Sequence, residues 1–337
     1  MRERRGMRKK WCCLLLTAIL LIGGLAGCGS EPVQPGYEGT VKALAKLLDT
    51  SAGKLLQAKS LSAGESVGDW LAIALSAGGS QENYEAYLEE LSAYVTDCYA
   101  RQGCLDPVKA TDYHRVALTV MALGGDPRNF GTDAQGNPVD LVADGIWNFQ
   151  GDRQVQGLNG TIYSLITLDA GGLEVPDGEE PSREMLLLEL LEAQEANGGF
   201  GLTRGNPTAD MTAMAVQALA PEKEQYAAEI DRALDYLSGE IQGKDTDTVS
   251  GMESSESVSQ IILALCSLGI DPAEDARFVR NGTTLEDMLD SFRTEGCYRH
   301  TTGGEADVMA TEQALLAMVA VERLRSDGDG RLFCYTG

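Results

Sequence analysis

Cys297, His300 and Asp307 fall within eleven residues of one another, in EGCYRHTTGGEADV. Thiolate, imidazole and carboxylate are the donors that hold zinc while leaving a fourth position open to a substrate. The local pattern argues against a site, because Cys297 stands where another copy of the same turn has glycine and Asp307 lies in an irregular loop. The stretch reads as a turn carrying polar side chains, and no metal is expected. The chain has only one other histidine, His114. A second acidic stretch, Asp245-Thr246-Asp247-Thr248, could offer a carboxylic proton donor but sits in a polar loop and reads as a solvated turn. Ser326-Asp327-Gly328-Asp329-Gly330 has part of a calcium loop's spacing without the bidentate glutamate, and reads as the turn that ends the domain. No nucleophilic triad, phosphate loop or helix-borne pair of metal-binding histidines is present.

The elements that would position any site repeat along the chain. Aligned on Ala218-Leu219, the counterparts are Ala74-Leu75, Ala122-Leu123, Thr167-Leu168, Ala264-Leu265 and Ala317-Met318, at intervals of 45 to 53 residues. Alanine before the large residue suits a helix that a neighbour approaches closely. Phe149 and Phe200 each stand nineteen residues ahead of the aligned leucine, and Tyr298 twenty ahead of Met318. The turn before the helix, Gly-Gly-Phe-Gly at 198–201, is therefore a repeat element. Val258, Ile261, Ile262, Leu265 and Leu268 form one apolar helical stripe, and second helices are predicted over 83–100, 183–194, 229–241 and 284–292. No convincing strand pattern intervenes, so the chain reads as all-α, with about six helical hairpins over residues 40–325 and a short tail over 326–337.

On this register, nine residues before the aligned position stand His114, Asn159, Asp210 and Glu256, at the starts of the predicted helices. Asn and Asp there suit helix N-caps, which need no ligand. Five residues before it come Trp70, Tyr163, Gln260 and Gln313, with Glu312 beside the last. Polar groups inside otherwise apolar helices need a partner across hairpins or a bound ligand. These nine are the candidate cavity residues.

Asn197-Gly198-Gly199-Phe200-Gly201, Asp210-Met211-Thr212-Ala213-Met214-Ala215, Glu256-Ser257-Val258-Ser259-Gln260 and Met309-Ala310-Thr311-Glu312-Gln313-Ala314-Leu315 give the chain its resemblance to a known family. It resembles the α/α toroids of protein prenyltransferase β subunits, squalene and hopene cyclases, and cobalamin carriers such as intrinsic factor. It is similar in particular to the prenyltransferase/squalene-oxidase-repeat proteins found outside the cytoplasm of Gram-positive bacteria. The resemblance implies parallel inner helices lining a central cavity, outer helices facing solvent, and the His114 to Glu256 set ringing one mouth. It is weak on activity: Gln194 to Phe200 is similar to the cyclases' Gln-Trp motif with phenylalanine for tryptophan, their Asp-x-Asp-Asp acid is absent, and the prenyltransferase zinc set is not convincing. Cobalamin is a precedent only, since those carriers close over the corrin with a separate β domain.

Six bases, Arg2, Arg4, Arg5, Arg8, Lys9 and Lys10, precede an apolar run from Trp11 to Ala26 as in a secretory signal. Leu25-Ala26-Gly27-Cys28 is similar to the lipobox of bacterial lipoproteins, which implies cleavage before Cys28 and acylation of its thiol. Residues 28–39 read as a flexible tether. Removing residues 1–27 moves the formal charge from −24 to −29, which argues against nucleic acid as a partner. Cys98, Cys104, Cys266, Cys297 and Cys334 then remain of eight cysteines. Cys98 and Cys104 are close enough in sequence to pair, but no compact disulfide framework is present and free thiols are expected. The expectation is a lipid-anchored extracytoplasmic protein, without cofactor, that binds a small molecule or peptide in its central cavity or mouth. The alternatives are an enzyme on an isoprenoid-like or cell-wall substrate, using Asp210, Glu256 or Glu312 as acid or base, and an adhesion or assembly module contacting other surface proteins.

Overall fold

The aligned Ala-Leu pairs lie on six helices that close into a ring. In the computed structural model, which describes residues 36–241, 252 and 254–335, these are α2 (Ser66–Ala77), α4 (Ala110–Ala122), α6 (Leu158–Gly171), α8 (Ala209–Leu219), α10 (Ser255–Leu268) and α12 (Val308–Asp327). Each packs on the next, and α12 packs back on α2. Outside them lie α1 (Tyr37–Leu47) on α12, α5 (Leu141–Gly145) on α4, α7 (Arg183–Glu192) on α6, α9 (Ala227–Ile241) on α8 and α11 (Leu285–Asp290) on α10. The outer α3 (Tyr84–Gln102) reaches α2 through the hydroxyl of Tyr87. This is an α/α toroid. All described residues belong to one unit, Val33–Gly337; the stretch read as a signal, Cys28 and the Asp245–Thr248 loop lie outside them.

The inner helices run parallel, start beside start and end beside end. At the starts, Ser257 of α10 donates its hydroxyl to Asp210 of α8. At the ends, Ser76 of α2 donates to the carbonyl of Ala122 of α4 at 2.9 Å, and Arg323 of α12 to that of Ala77 at 3.0 Å. Ala74, Ala218, Ala264 and Ala317 are sealed at the helix contacts, and Leu75, Leu168, Leu219 and Leu265 are fully buried beside them. Each such leucine contributes about 1.5–3 kcal/mol by leaving water.

The recurring aromatic turn is explained by one hydrogen-bond pattern used twice. Phe200 is fully buried, and its N–H donates to Thr212 Oγ1 at 2.9 Å, while that hydroxyl donates to the Thr208 carbonyl at 2.7 Å. Tyr298 N–H donates to Thr311 Oγ1 at 3.0 Å, and Thr311 donates to the Asp307 carbonyl at 2.6 Å. The threonines stand at equivalent register positions, each tying an aromatic turn to the first turn of an inner helix. Glycine is required at 198, where φ is +89° and a Cβ would collide with the carbonyl of Arg232. Two-residue strands flank these turns, β1 (Phe200–Gly201) with β2 (Pro207–Thr208) and β3 (Arg293–Thr294) with β4 (Cys297–Tyr298). Thr212→Val leaves the buried Phe200 N–H without an acceptor and is expected to cost about 1–3 kcal/mol. Urea denaturation checks this, with Thr212→Ser expected to retain most of the stability.

Two stretches differ from the sequence expectation. Helix α1 begins at Tyr37, within the stretch read as tether, because the Tyr37 hydroxyl docks on Ser80 Oγ at 2.9 Å and on the Ala74 carbonyl at 3.2 Å. The tail does more than end the domain: beyond Gly328 it crosses the ring at the ends of the inner helices. Gly330 lies against Cys266 and Ala320, the Tyr335 N–H donates to the carbonyl of Ala170 at 2.7 Å, and Phe333 packs on Trp70 with ring centroids 6.1 Å apart.

Candidate functional site

The axis of the toroid is occupied by the chain's own side chains. Trp70 of α2 meets Tyr163 of α6 with centroids 6.0 Å apart, and Phe333 packs on Trp70 from the tail. The Tyr163 hydroxyl approaches Met214 Sδ at 3.3 Å. On the other side the amides form a ladder, Gln217 donating to Gln260 at 2.8 Å and Gln260 to Gln313 at 2.7 Å. Gln260 and Gln313 are therefore partnered across hairpins without a ligand.

Above this plug, at the starts of the inner helices, a pocket of about 300 Å³ opens between α2, α4 and α6. Trp70 and Tyr163 line it together with Asn159, Ser66, Lys109 and Gln156. Asn159 is not a helix cap, since the N-cap of α6 is Gly157; its Oδ1 is buried without a partner. Gln156 is held in place, its Nε2 donating to Thr111 Oγ1 at 2.6 Å and its Oε1 accepting from the Thr111 N–H at 3.1 Å.

The wall of the pocket is fixed by a buried ionic network that sequence reading missed. Asp69 Oδ2 pairs with Arg115 Nε at 3.0 Å, and Asp69 Oδ1 accepts from the Gly64 N–H at 3.0 Å and the Tyr87 hydroxyl at 2.9 Å. Arg115 also pairs with Asp112 at 2.7 Å and donates to the Gly64 carbonyl at 2.8 Å. Burial raises the Asp69 carboxyl above its usual value, and Arg115, Gly64 and Tyr87 pull it back. The signal was available in part: Asp69 is the one charged residue of α2, and Arg115 stands three residues after Asp112 on α4.

The remaining candidates scatter around the ring. Asp210 and Glu256 stand at the mouth, Asp210 accepting from Ser257 and Glu256 Oε2 lying 2.9 Å from His300 Nδ1. The N-caps of those helices are Thr208 and Ser254, so the cap reading of Asp210 does not hold. His114 is sealed between α4 and its neighbours, with Nε2 3.1 Å from the Gly145 carbonyl and 3.3 Å from Ser164 Oγ. Burial lowers it to about 3. It is therefore neutral in the fold but takes up a proton in the unfolded chain below about pH 6.5, so its stabilisation is present above that pH and lost on acidification. Between pH 6.5 and 5 the loss is expected to be about 2 kcal/mol. His114→Gln should remove this part of the pH dependence, read from urea midpoints at the two pH values.

Glu312 is fully buried, and neither carboxylate oxygen makes a hydrogen bond of good geometry. It occupies the α12 position equivalent to Asp69 on α2; burial pushes its carboxyl well above the usual range, the neighbouring Gln313 amide pulls it back, and Asp307, Asp69 and Glu256 add to the push. Cys297 is buried and raised to about 11 by that burial, whereas His300 is exposed on Glu256. Among the described residues no three His, Cys, Asp or Glu side chains are placed to share a metal ion. Cys98, Cys104, Cys266 and Cys297 are free thiols.

No family model matches the sequence, and no curated protein matches it either. Among solved structures the chain is similar to Candida albicans protein geranylgeranyltransferase-I complexed with GGPP, at 9% identity and a TM-score of 0.49, over 88% of this chain and 95% of that one. The toroid assigned above rests on the closed ring of helix contacts.

Proposed function

We propose that this protein is a non-catalytic lipoprotein, anchored through acylated Cys28 on the outer face of the cytoplasmic membrane, that binds a small molecule or peptide at the mouth of its toroid. The observation that carries the reading is the pocket of about 300 Å³ over Trp70 and Tyr163. Its size is at the lower end of ligand sites, and aromatic walls with a few convergent polar groups are their usual lining. The filled axis restricts a ligand to the mouth. The same filling favours, as a second reading, a module that contacts other surface proteins. Acid catalysis finds less support, since the carboxyl most strongly raised toward neutrality, Glu312, is sealed from solvent.

Anchoring is tested by feeding cells an alkyne-tagged fatty acid: label on the protein and retention in the membrane fraction are expected, and both should vanish in Cys28→Ala. Label that persists in the variant would overturn the assignment. Binding is tested with Trp147→Phe, which leaves Trp70 as the one tryptophan beyond the leader. Its emission should shift on addition of extracytoplasmic extract, and the shift should disappear with Asn159→Leu.

A further inference from the structure

The outer layer of the toroid is uneven. Helix α3 has 19 residues, α9 has 15, α1 has 11 and α7 has 10, whereas α5 has five and α11 has six. On the repeat register, Leu75, Leu168, Leu219 and Leu265 are fully buried, whereas Leu123 on α4, the helix that α5 covers, and Met318 on α12, which lines the space beside α11, remain partly exposed. Beside α5, Phe130 and Val139 from the connecting loop pack on the core. Beside α11 a groove of about 650 Å³ runs between α11 and the start of α1, over the outward face of α12.

The floor of this groove is apolar, made by Ile262, Leu289, Ala317, Met318 and Val321. Its rim carries Glu286, Asp287, Asp290 and Glu322 against two cations, Arg293 and Arg325. Both cations are engaged within the chain. Arg325 pairs with Asp271 and with Glu286, each at 2.7 Å, and Arg293 donates to the Tyr298 hydroxyl at 2.6 Å and to Asp290 at 3.1 Å. The rim is thus net negative, on a chain of formal charge −24.

We propose that this groove docks a basic amphipathic helix of a partner protein. The apolar stripe of that helix lies on Met318 and Val321, in the gap left by the short outer helix, and its lysines or arginines face Glu322, Asp287 and Glu286. The shape calls for a helix, because the groove lies between two helices and over a third, and an apolar face at i, i+3, i+4 and i+7 fits such a cleft. The sign of the rim calls for a basic one. This site is separate from the mouth pocket, and the proposal stands or falls without it.

The test uses the mature chain with Cys28→Ser and a fluorescein-labelled synthetic 18-residue helix, with leucine at i, i+3, i+4 and i+7 spacing and lysine elsewhere. Fluorescence anisotropy is expected to show saturable one-to-one binding that weakens as salt rises. Met318→Arg should weaken it at least tenfold, and so should scrambling the peptide to destroy its stripe. Glu322→Lys, at an exposed position, gives the same direction with no risk to the fold. Absence of saturable binding would overturn the proposal, as would equal binding by the scrambled peptide or by Met318→Arg, which would indicate diffuse charge attraction. Self-association of the unliganded chain that Met318→Arg abolishes would assign the groove to a second copy and overturn it too.

Discussion

Replacing Arg115 by alanine is expected to destabilise the toroid by about 3–5 kcal/mol, because Asp69 would remain fully buried with its charge uncompensated. The loss exceeds that of the hydrogen bonds alone, since the guanidinium also neutralises Asp112 and holds the Gly64 carbonyl. Asp69→Asn should cost less, as it removes the buried charge while keeping a group that can accept from Gly64 and Tyr87. The double replacement Asp69→Leu with Arg115→Met should recover a large part of the single-variant loss, as apolar substitutes for buried ion pairs often do. Urea midpoints for the parent, Asp69→Leu, Arg115→Met and their double variant, the four proteins of one cycle, give the coupling directly. Additive losses with no recovery would mean that the two side chains act independently.

Glu312→Met is expected to stabilise the protein at neutral pH, opposite in sign to most core replacements. The carboxyl is sealed with no well-formed hydrogen bond to either oxygen, and burial outweighs the Gln313 amide beside it and raises it well above the value it has in the unfolded chain. In the window between the unfolded and folded values the native state holds a proton that the unfolded chain releases. Stability is therefore fully present below about pH 4.5 and falls by about 1.4 kcal/mol per pH unit as pH rises through the window. The methionine variant should lose that slope, so its advantage over the parent should be small at pH 4.5 and grow toward pH 7. His114 contributes a slope of the opposite sign over part of the range, so the comparison must be made between Glu312 variants at each pH. A stability gain that does not change with pH would place the effect in packing and not in titration.

The repeat was legible because its physics is local and recurs. Closely approaching helices need a small residue beside a large one, and a turn needs glycine where φ is positive, so Ala218-Leu219 and Gly198-Phe200 advertise themselves in copy after copy. The register grouped His114, Asn159, Asp210 and Glu256, and the family resemblance put them at one mouth; Asn159, Asp210 and Glu256 stand at the starts of their helices, whereas His114 is sealed inside. What it missed depends on contacts between distant segments. Nothing near Trp70 in sequence announces that Phe333 packs on it, and nothing near Gln260 tells whether its amide meets Gln313 or a ligand. The cap reading of Asp210 went astray by two residues, because Thr208 offers a hydroxyl at the position where the chain turns into α8. Helix α5, five residues long, is too short to carry a period.

The axis of the toroid is filled, and the proposed ligand sits at the mouth over Trp70 and Tyr163. Native mass spectrometry of the protein purified from its own organism, alongside zinc and calcium analysis, tests this most directly. The account predicts a retained small molecule or peptide of defined mass, without stoichiometric metal, that is lost from Asn159→Leu and kept by Met318→Arg. A protein that is empty, that carries stoichiometric zinc, or that holds its ligand equally well in Asn159→Leu would contradict it.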